Sequence, residues 1–217
     1  MRERTAKVPR LEDDALPVQI IEFHSEYPQP RKVDMVKKCL VDGGVIAFPT
    51  DSTYGMGCDI YSRSAIDRLY QLRNRSQKKP FTFLCADLSD LAKYANVQNY
   101  AYKLMKKLTP GPYTFLLDAT QLVPKIMRSN RYTVGIRVPD HAVCHELIVA
   151  LGNPIISTTA RSNDEMFADP REIKDHFGHG LDLIVDAGYI FPEPTTVLDL
   201  TGESPKLVRE GKGIWEE

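Results

Sequence analysis

A dense group of hydroxyl side chains follows a short apolar run near residue 50. Val45–Phe48 is apolar, Pro49 ends the run, and Thr50–Tyr54 then places four hydroxyls and the Asp51 carboxylate in five consecutive positions. Hydroxyls and backbone N–H groups at the end of a buried strand hold small polar ligands in α/β proteins. The alternative is an ordinary polar turn with a capping Asp or Ser. The density of hydroxyls favours a ligand site.

A second strand of the same kind occurs later in the chain. Residues 154–160 are apolar at first and then carry hydroxyls, among them Ser157 and Thr159. Because both runs end in hydroxyl groups, we expect Thr50–Tyr54 and Ser157–Arg161 to face one cavity. A structure with these segments on opposite faces would contradict that expectation.

Arginine side chains supply the candidate anion-binding groups. Residues 73–79 hold four cations, including Arg73, Arg75 and Lys79, just before an apolar strand at 81–85. The planar arginine fork matches pairs of phosphate oxygens, so this loop is either a phosphate clamp or a solvated basic loop. Arg137 lies among apolar neighbours in a strand at 132–139 and must be paired or face a ligand. A structural ion pair and anion binding remain equal alternatives for Arg137.

The elements that position these residues follow from hydrophobic periodicity and from helix and turn signals. Helices are predicted at 32–40, 64–72, 88–94, 100–108, 123–127 and 142–151, and from Pro170 with Asp169 as its cap. Further strands are predicted at 18–23, 113–117, 181–186, 196–200 and 206–209. Strands and helices intermingle without a strict βαβ period. This pattern predicts an α/β fold with a single open, twisted, mixed sheet and packed helices.

Length and composition predict one large domain. The 217 residues divide into a charged N-terminal tail at 1–16 and a domain at 17–217. No apolar run reaches the roughly 18 residues of a membrane span, and the N-terminus lacks a secretory signal. The four cysteines are widely spaced and are read as reduced thiols of a cytoplasmic protein. His141 and His145 lie one helical turn apart, but no motif completes a metal site around them.

Charge is distributed unevenly along the chain. Residues 61–137 contain 14 Lys and Arg against 4 Asp and Glu, a balance of +10, and residues 138–217 contain 6 against 15, a balance of −9. A basic surface for phosphates or nucleic acid is one interpretation. Lysine-rich, solvated helix faces are the other.

The segment Pro49–Asp59 resembles the strand-and-loop signature of the YrdC/YciO family, whose best-known members are threonylcarbamoyl-adenylate synthases. Further family landmarks follow in order at 110–114, 135–140, 194–200 and 208–211, so that the resemblance spans about residues 18–213. It implies a YrdC-like open α/β domain with a concave basic cavity. It also implies a nucleotidyltransferase-type reaction in which ATP, threonine and bicarbonate form threonylcarbamoyl-adenylate for tRNA modification. ATP is then a substrate, with magnesium as a candidate companion.

The resemblance also implies roles for particular residues. Threonine binding is assigned to Thr50, Thr53 and Tyr54. Nucleotide or phosphate binding is assigned to a larger set, namely Arg73, Arg75, Lys79, Thr114, Arg137, Ser157, Thr159, Arg161 and Arg209.

Two departures from the synthase pattern place the chain closer to the YciO branch. Arg73 stands where the synthases have lysine, and Arg161 stands where they have asparagine. Three functions therefore stay open. One is a synthase with altered activity, another is a double-stranded RNA or tRNA binder without the chemistry, and the third is a sensor of nucleotide or amino acid.

Overall fold

The structure is a computed structural model that describes residues 18–74, 81–89, 91–123, 132–162 and 165–216. Within these ranges the helices are α1 Pro30–Val41, α2 Arg63–Leu72, α3 Leu91–Tyr94, α4 Asn99–Leu108, α5 Ala142–Leu151 and α6 Pro170–Phe177. The strands are β1 Gln19–Glu22, β2 Ile46–Pro49, β3 Tyr54–Asp59, β4 Thr82–Leu84, β5 Ala95–Asn96, β6 Tyr113–Ala119, β7 Thr133–Arg137, β8 Ile155–Thr159, β9 Arg161–Ser162, β10 Glu165–Met166, β11 Leu183–Asp186, β12 Thr196–Asp199 and β13 Lys206–Arg209.

One mixed, twisted sheet organises the described chain, as the sequence predicts. Its order is β1-β11-β2-β3-β8-β4-β7-β6-β12-β13, with β5 paired to β6. The pairs β1·β11, β11·β2, β4·β7 and β6·β12 are parallel, whereas β3 runs antiparallel to both β2 and β8. The strands β9 and β10 form a separate antiparallel hairpin.

Apolar side chains cover both faces of the sheet. On one face, α1 and α5 pack through Val36 and Leu147 against Phe48 and its neighbours. On the other face, Phe83 and Ile136 belong to a larger core that also includes residues of α2, α4 and α6. Each helix buries residues at helical spacing, so burial of these apolar stripes drives the packing.

Small and polar residues occupy part of the sheet face against which α1 and α5 pack. In β7, Val134 and Ile136 point into the larger core, so Gly135 and Arg137 point to the opposite face. A Cβ placed on Gly135 would lie 3.3 Å from Thr82 Oγ1 and 3.6 Å from Thr114 Cγ2. Thr82, Thr114, Gly135 and Arg137 therefore lie on one face in the middle of the sheet, and we call this region the polar floor.

The strand β3 is the main element that the sequence did not predict, because its glycines look like loop residues. Tyr54, Met56 and Cys58 point into the larger core, while Gly55 and Gly57 lie in close contact with residues of the adjacent strands β2 and β8. A Cβ on Gly57 would lie 2.2 Å from the Ile156 carbonyl oxygen, so the close strand approach requires glycine there.

Smaller differences concern short elements. The two-residue strand β5 and the β9–β10 hairpin were not predicted, and the helix predicted at 88–94 is confined to Leu91–Tyr94. Residues 124–127 of the predicted short helix and the N-terminal tail at 1–16 lie outside the described residues. No helix in the described ranges is both long and apolar enough to cross a membrane.

Candidate functional site

The turn at 50–53 is built by its own hydroxyl groups. Thr50 Oγ1 donates to the Thr53 carbonyl at 2.6 Å and accepts from the backbone N–H groups of Ser52 and Thr53, each at 3.2 Å. Thr53 Oγ1 donates to the carbonyl of Tyr54 at 3.1 Å. The turn is therefore a rigid, buried loop in which the backbone conformation depends on the Thr50 hydroxyl.

The two hydroxyl-rich segments lie side by side, and the cavity that they were expected to share stays a prediction. Strands β3 and β8 pair Gly55 with Thr159 and Gly57 with Ser157, and the backbone N–H of Ala160 donates to the Tyr54 carbonyl at 2.9 Å. Ser157 is 7% exposed, and its hydroxyl lies beside Gly55, where a Cβ would approach it to 3.1 Å.

Arg137 and Asp51 form a buried ion pair across the site. Arg137 Nη2 donates to Asp51 Oδ1 at 2.5 Å and lies 3.4 Å from Thr50 Oγ1. The two side chains are 8% and 11% exposed, so both charges are removed from water. Asp51 Oδ2 and Arg137 Nε are buried and have no hydrogen-bond partner among the described residues. The ion-pair interpretation of Arg137 is confirmed, and the unused donor keeps anion binding open.

Arg209 reaches the same region from β13. Its Nε and Nη2 donate to the Thr195 carbonyl at 3.0 and 2.7 Å, and Nη2 also lies 3.0 Å from Thr195 Oγ1. That hydroxyl is 2.9 Å from Thr114 Oγ1 in β6. Thr195 therefore connects the β13 arginine with the polar floor.

We call Arg137, Arg161 and Arg209 the arginine cluster, because the charges of Arg161 and Arg137 act on the buried Arg209 guanidinium. Burial lowers the pKa of Arg209, and the positive charges of Arg161 and Arg137 lower it further. Lys212 adds a fourth cation, because its Nζ donates to the Asp51 carbonyl at 2.5 Å. With the Asp51 carboxylate as the contacting anion among the described residues, this region carries excess positive charge.

The predicted basic loop is described in part. Arg73 Nη1 donates to the carbonyl of Arg161, and its guanidinium lies 5.9 Å from the centre of the Phe177 ring. Arg73 thus holds the β9–β10 hairpin against α6, and its predicted phosphate role stays a prediction. Arg75 and Lys79 lie outside the described residues.

Tyr54 faces the larger core. Its hydroxyl donates to the Gly188 carbonyl at 2.7 Å and accepts from the Ala187 N–H at 3.1 Å. Burial raises the pKa of this phenol well above its usual value. The structure therefore gives the Tyr54 side chain a structural contact, while its predicted part in threonine binding stays a prediction.

Burial disfavours the charged forms of two titratable groups near the ion pair. Burial lowers the pKa of His141, although Asp51 and Asp140 act in the opposite direction. Burial raises the pKa of the Cys144 thiol to about 12. In the part of the chain that the structure describes, no group of three His, Cys, Asp or Glu side chains is arranged to hold a metal ion.

A separate cavity of about 970 Å³ lies on the other side of residues 138–142, against the end of α4. Four of its lining residues are acidic and one is a lysine; these are Glu26, Asp87, Asp140, Glu146 and Lys106. Its negative balance disfavours phosphate groups, so the arginine cluster remains the candidate site for an anion.

Sequence reasoning missed several contributors to the site. Asp51 was noted among the hydroxyls but was not assigned, and Thr82, Thr195 and Lys212 were not assigned either. Two sequence signals could have identified some of them. Thr195 and Thr196 form a hydroxyl pair at the start of a predicted strand, and Lys212 follows Arg209 by three residues. Their positions depend on contacts between distant parts of the chain.

Comparison with known proteins relates this site to a family. A family model for Sua5, YciO and YrdC proteins, described as telomere recombination, matches residues 38–211. This chain belongs to the Sua5/YciO/YrdC family. An uncharacterized protein of Haemophilus influenzae is 45% identical over 90% of this chain and 96% of its own length. A threonylcarbamoyl-AMP synthase of Nitrosococcus oceani is 32% identical over 83% of this chain and 94% of its own.

Solved structures of the Sua5/YciO/YrdC family share the fold. The crystal structure of Escherichia coli YciO matches with a TM-score of 0.86 and 40% identity, over 91% of this chain and 97% of YciO. The crystal structure of P. abyssi Sua5 complexed with L-threonine matches with a TM-score of 0.83 and 27% identity, over 88% of this chain and 57% of that one. Relatives in the Sua5/YciO/YrdC family thus include both YciO proteins and threonylcarbamoyl-AMP synthases.

Proposed function

We propose that this protein is a threonylcarbamoyl-adenylate synthase-like enzyme of tRNA modification that binds ATP and threonine, with activity altered from that of the synthases. The observation that carries the proposal is the arginine cluster beside the rigid Thr50–Thr53 turn. Relatives that are threonylcarbamoyl-AMP synthases, and one that was solved with L-threonine, support it. The proposed compartment is the cytoplasm.

The two parts of the site suit two different ligands. The Thr50–Thr53 turn offers buried hydroxyl and backbone groups for a small amino acid, and Gly135 adds no side chain to the neighbouring polar floor. The arginine cluster offers guanidinium donors for phosphate oxygens. Threonine on the turn and phosphates on the cluster would place the two reactants next to each other.

The proposed reaction has two steps. The amine of threonine attacks the carbon of bicarbonate and forms a carbamate with loss of water. A carbamate oxygen then attacks the α-phosphorus of ATP, a new O–P bond forms, and pyrophosphate leaves with the electrons of the broken O–P bond. In this second step Arg137 and Arg209 would stabilise the charge that develops on the phosphate oxygens.

The test is exchange of labelled pyrophosphate into ATP, with threonine and bicarbonate present. We expect exchange that requires both co-substrates in the wild type and about a hundredfold loss or more in Arg137→Met, the usual scale for one transition-state donor. Arg63→Gln is the matched control, because the Arg63 side chain is 88% exposed on α2. No exchange in the wild type, at any co-substrate concentration, would contradict the synthase proposal.

Double-stranded RNA or tRNA binding without synthase chemistry is the second candidate. The observation that favours it is the exposed lysine row of α4, formed by Lys103, Lys106 and Lys107 within the basic half of the chain. Phosphate contacts of this kind make affinity fall steeply with salt. RNA binding that weakens in the variant with all three lysines changed to glutamine, in a protein with no response to ATP or threonine, would favour this candidate.

A further inference from the structure

We propose that the cavity at the end of α4 and the start of α5 is a second binding site, and that its ligand is an aliphatic polyamine. This cavity of about 970 Å³ is lined by residues within 26–28, 86–88, 106–110 and 138–146, and we call it the acidic cavity. None of its lining residues belongs to the arginine cluster or to the Thr50–Thr53 turn. The inference therefore does not depend on the proposed function.

Apolar side chains form much of the lining of the acidic cavity. Val138 and Pro139 are buried there, and Pro28, Ala86 and Leu88 are half-buried. A cavity of this volume has the size of small-molecule sites, which are mostly lined by apolar groups. Methylene groups that leave water against such a lining stabilise the complex. The lining therefore suits a ligand with an aliphatic body.

Carboxylates are spread around this apolar lining. Glu26, Asp87, Asp140 and Glu146 are exposed at the acidic cavity, and Lys106 is the lysine among its lining residues. With both lining histidines neutral, four carboxylates against one ammonium leave a surplus of three negative charges. A cleft with such a surplus attracts cations.

The carboxylates of the acidic cavity are available to a ligand. Those of Glu26 and Asp140 make no hydrogen bond or ion pair with the described part of the chain. Asp87 uses one oxygen to accept from the Ser89 N–H at 2.7 Å, and Glu146 Oε1 lies 3.6 Å from His145 Nδ1, beyond hydrogen-bond distance. Ammonium groups can therefore bind these oxygens without breaking a contact within the protein.

The distribution of the acids favours a polyamine over other cations. The four carboxylates come from separate segments of chain, and within the described ranges no group of three His, Cys, Asp or Glu side chains is arranged to hold a metal ion. A single lysine side chain of a partner protein would place one positive charge against a surplus of three. A polyamine carries several ammonium groups separated by methylene chains, so one molecule matches both the spread charges and the apolar lining.

Isothermal titration calorimetry with spermidine tests the proposal, at one fixed low ionic strength and with protein freed of ATP and nucleic acid. We expect saturable binding of one spermidine per chain, at least about tenfold tighter than binding of propylamine, which has a similar aliphatic body and a single ammonium group. Magnesium chloride and the tripeptide trilysine are titrated in parallel, and both should bind more weakly than spermidine.

Two variants of the lining should change the affinity in opposite directions. The double variant Asp140→Asn with Glu146→Gln should weaken spermidine binding about tenfold, and Lys106→Gln should strengthen it about threefold, the scale of exposed charge pairs. The matched control is Asp175→Asn with Glu203→Gln, which removes two exposed acids outside the acidic cavity and should leave the affinity unchanged. Thermal melting checks that each variant folds.

Absence of spermidine binding to the wild type would overturn the proposal. Equal losses in the lining double variant and in its control would show that the cation binds elsewhere on the surface, which overturns it as well. Magnesium that binds as tightly as spermidine would make the acidic cavity a site for inorganic cations. Tighter binding of trilysine than of spermidine would assign the acidic cavity to a lysine-bearing protein partner instead of a polyamine.

Discussion

The buried pair of Asp51 and Arg137 is the most consequential contact at the scale of single residues. Two charges removed from water are tolerated because each compensates the other, and loss of one partner leaves the other uncompensated. Asp51 also occupies part of the Arg137 fork that a phosphate would use. The same carboxylate therefore stabilises the empty site and competes with an anionic ligand.

Asp51→Asn should lower the free energy of unfolding by about 3 kcal/mol, because it leaves the buried Arg137 without its counter-ion. Urea denaturation with ligand absent measures this. Asp42→Asn is the control, since the Lys38–Asp42 pair is exposed and should change stability by less than about 1 kcal/mol. Inorganic phosphate should stabilise Asp51→Asn more than the wild type; equal stability of Asp51→Asn and wild type would show that the pair contributes nothing.

His141 should make stability depend on pH. Burial lowers its pKa below the ordinary value of 6.5, so the unfolded chain binds more protons than the folded chain in acid. Stability from this group is complete above about pH 6.5 and is lost as the pH falls below it. His141→Gln should flatten the dependence of the unfolding free energy between pH 7 and pH 5, and an unchanged slope would exclude His141 as its source.

Glycines decide what the strands can do at the scale of elements. In β3 and β7 they alternate with core residues, so one side of each strand packs in the core while Gly55, Gly57 and Gly135 add no side chain to the other side. Gly57 is needed for close approach of the β8 backbone, whereas a Cβ on Gly135 would meet side chains only, Thr82 Oγ1 at 3.3 Å and Thr114 Cγ2 at 3.6 Å. Glycine therefore permits close strand packing at Gly57, and at Gly135 it leaves the polar floor without an added side chain.

Gly135→Ala should keep stability and weaken ligand binding. A Cβ there meets side chains at 3.3 Å or more, and alanine reduces the freedom of the unfolded chain, but the methyl group projects onto the polar floor. Gly57→Ala should instead destabilise the fold by about 2 kcal/mol, because its Cβ would meet the Ile156 carbonyl oxygen. Thermal melting and ATP titration of both variants separate the two effects. If both variants lost stability and ATP affinity to the same extent, the different roles given to Gly57 and Gly135 would be wrong.

At the scale of the whole molecule, the C-terminal segment ties one edge of the sheet to the site. Thr196 Oγ1 donates to the Gly213 carbonyl at 2.5 Å, and the Tyr113 hydroxyl donates to Ile214 at 2.9 Å. Trp215 packs against the larger core, and the Lys212 ammonium donates to the Asp51 carbonyl. The segment therefore contacts both the core and the turn that carries Asp51.

Removal of residues 210–217 should lower both the melting temperature and the affinity for ATP, because core packing and a cation are lost together. Lys212→Ala should lower the affinity alone, since the Lys212 side chain is exposed. Differential scanning calorimetry with and without ATP measures both quantities. If Lys212→Ala melts the protein as severely as the truncation does, the lysine contact is structural and not part of ligand binding.

The amino-acid sequence by itself determined most helices and strands, because hydrophobic periodicity, caps such as Asp169 and breaking residues act over a few positions. It also determined the hydroxyl-rich segments at 50–54 and 157–159 and the family resemblance. Strand β3 escaped prediction because its glycines carry no periodic signal, although the neighbouring strands make it part of the sheet.

Tertiary structure alone decided which charges meet. Arg137 contacts Asp51 across 86 residues of chain, Thr114 contacts Thr195 across 81, and Arg161 and Arg209 converge from β9 and β13. Such partners depend on strand order and register, which arise from packing of the whole sheet and leave no local pattern in the sequence. Arg137, Arg209 and the hydroxyls of the turn could therefore be singled out in advance, but Asp51, Thr195 and Lys212 were not assigned, and the pairing of these groups emerges only when the sheet is assembled.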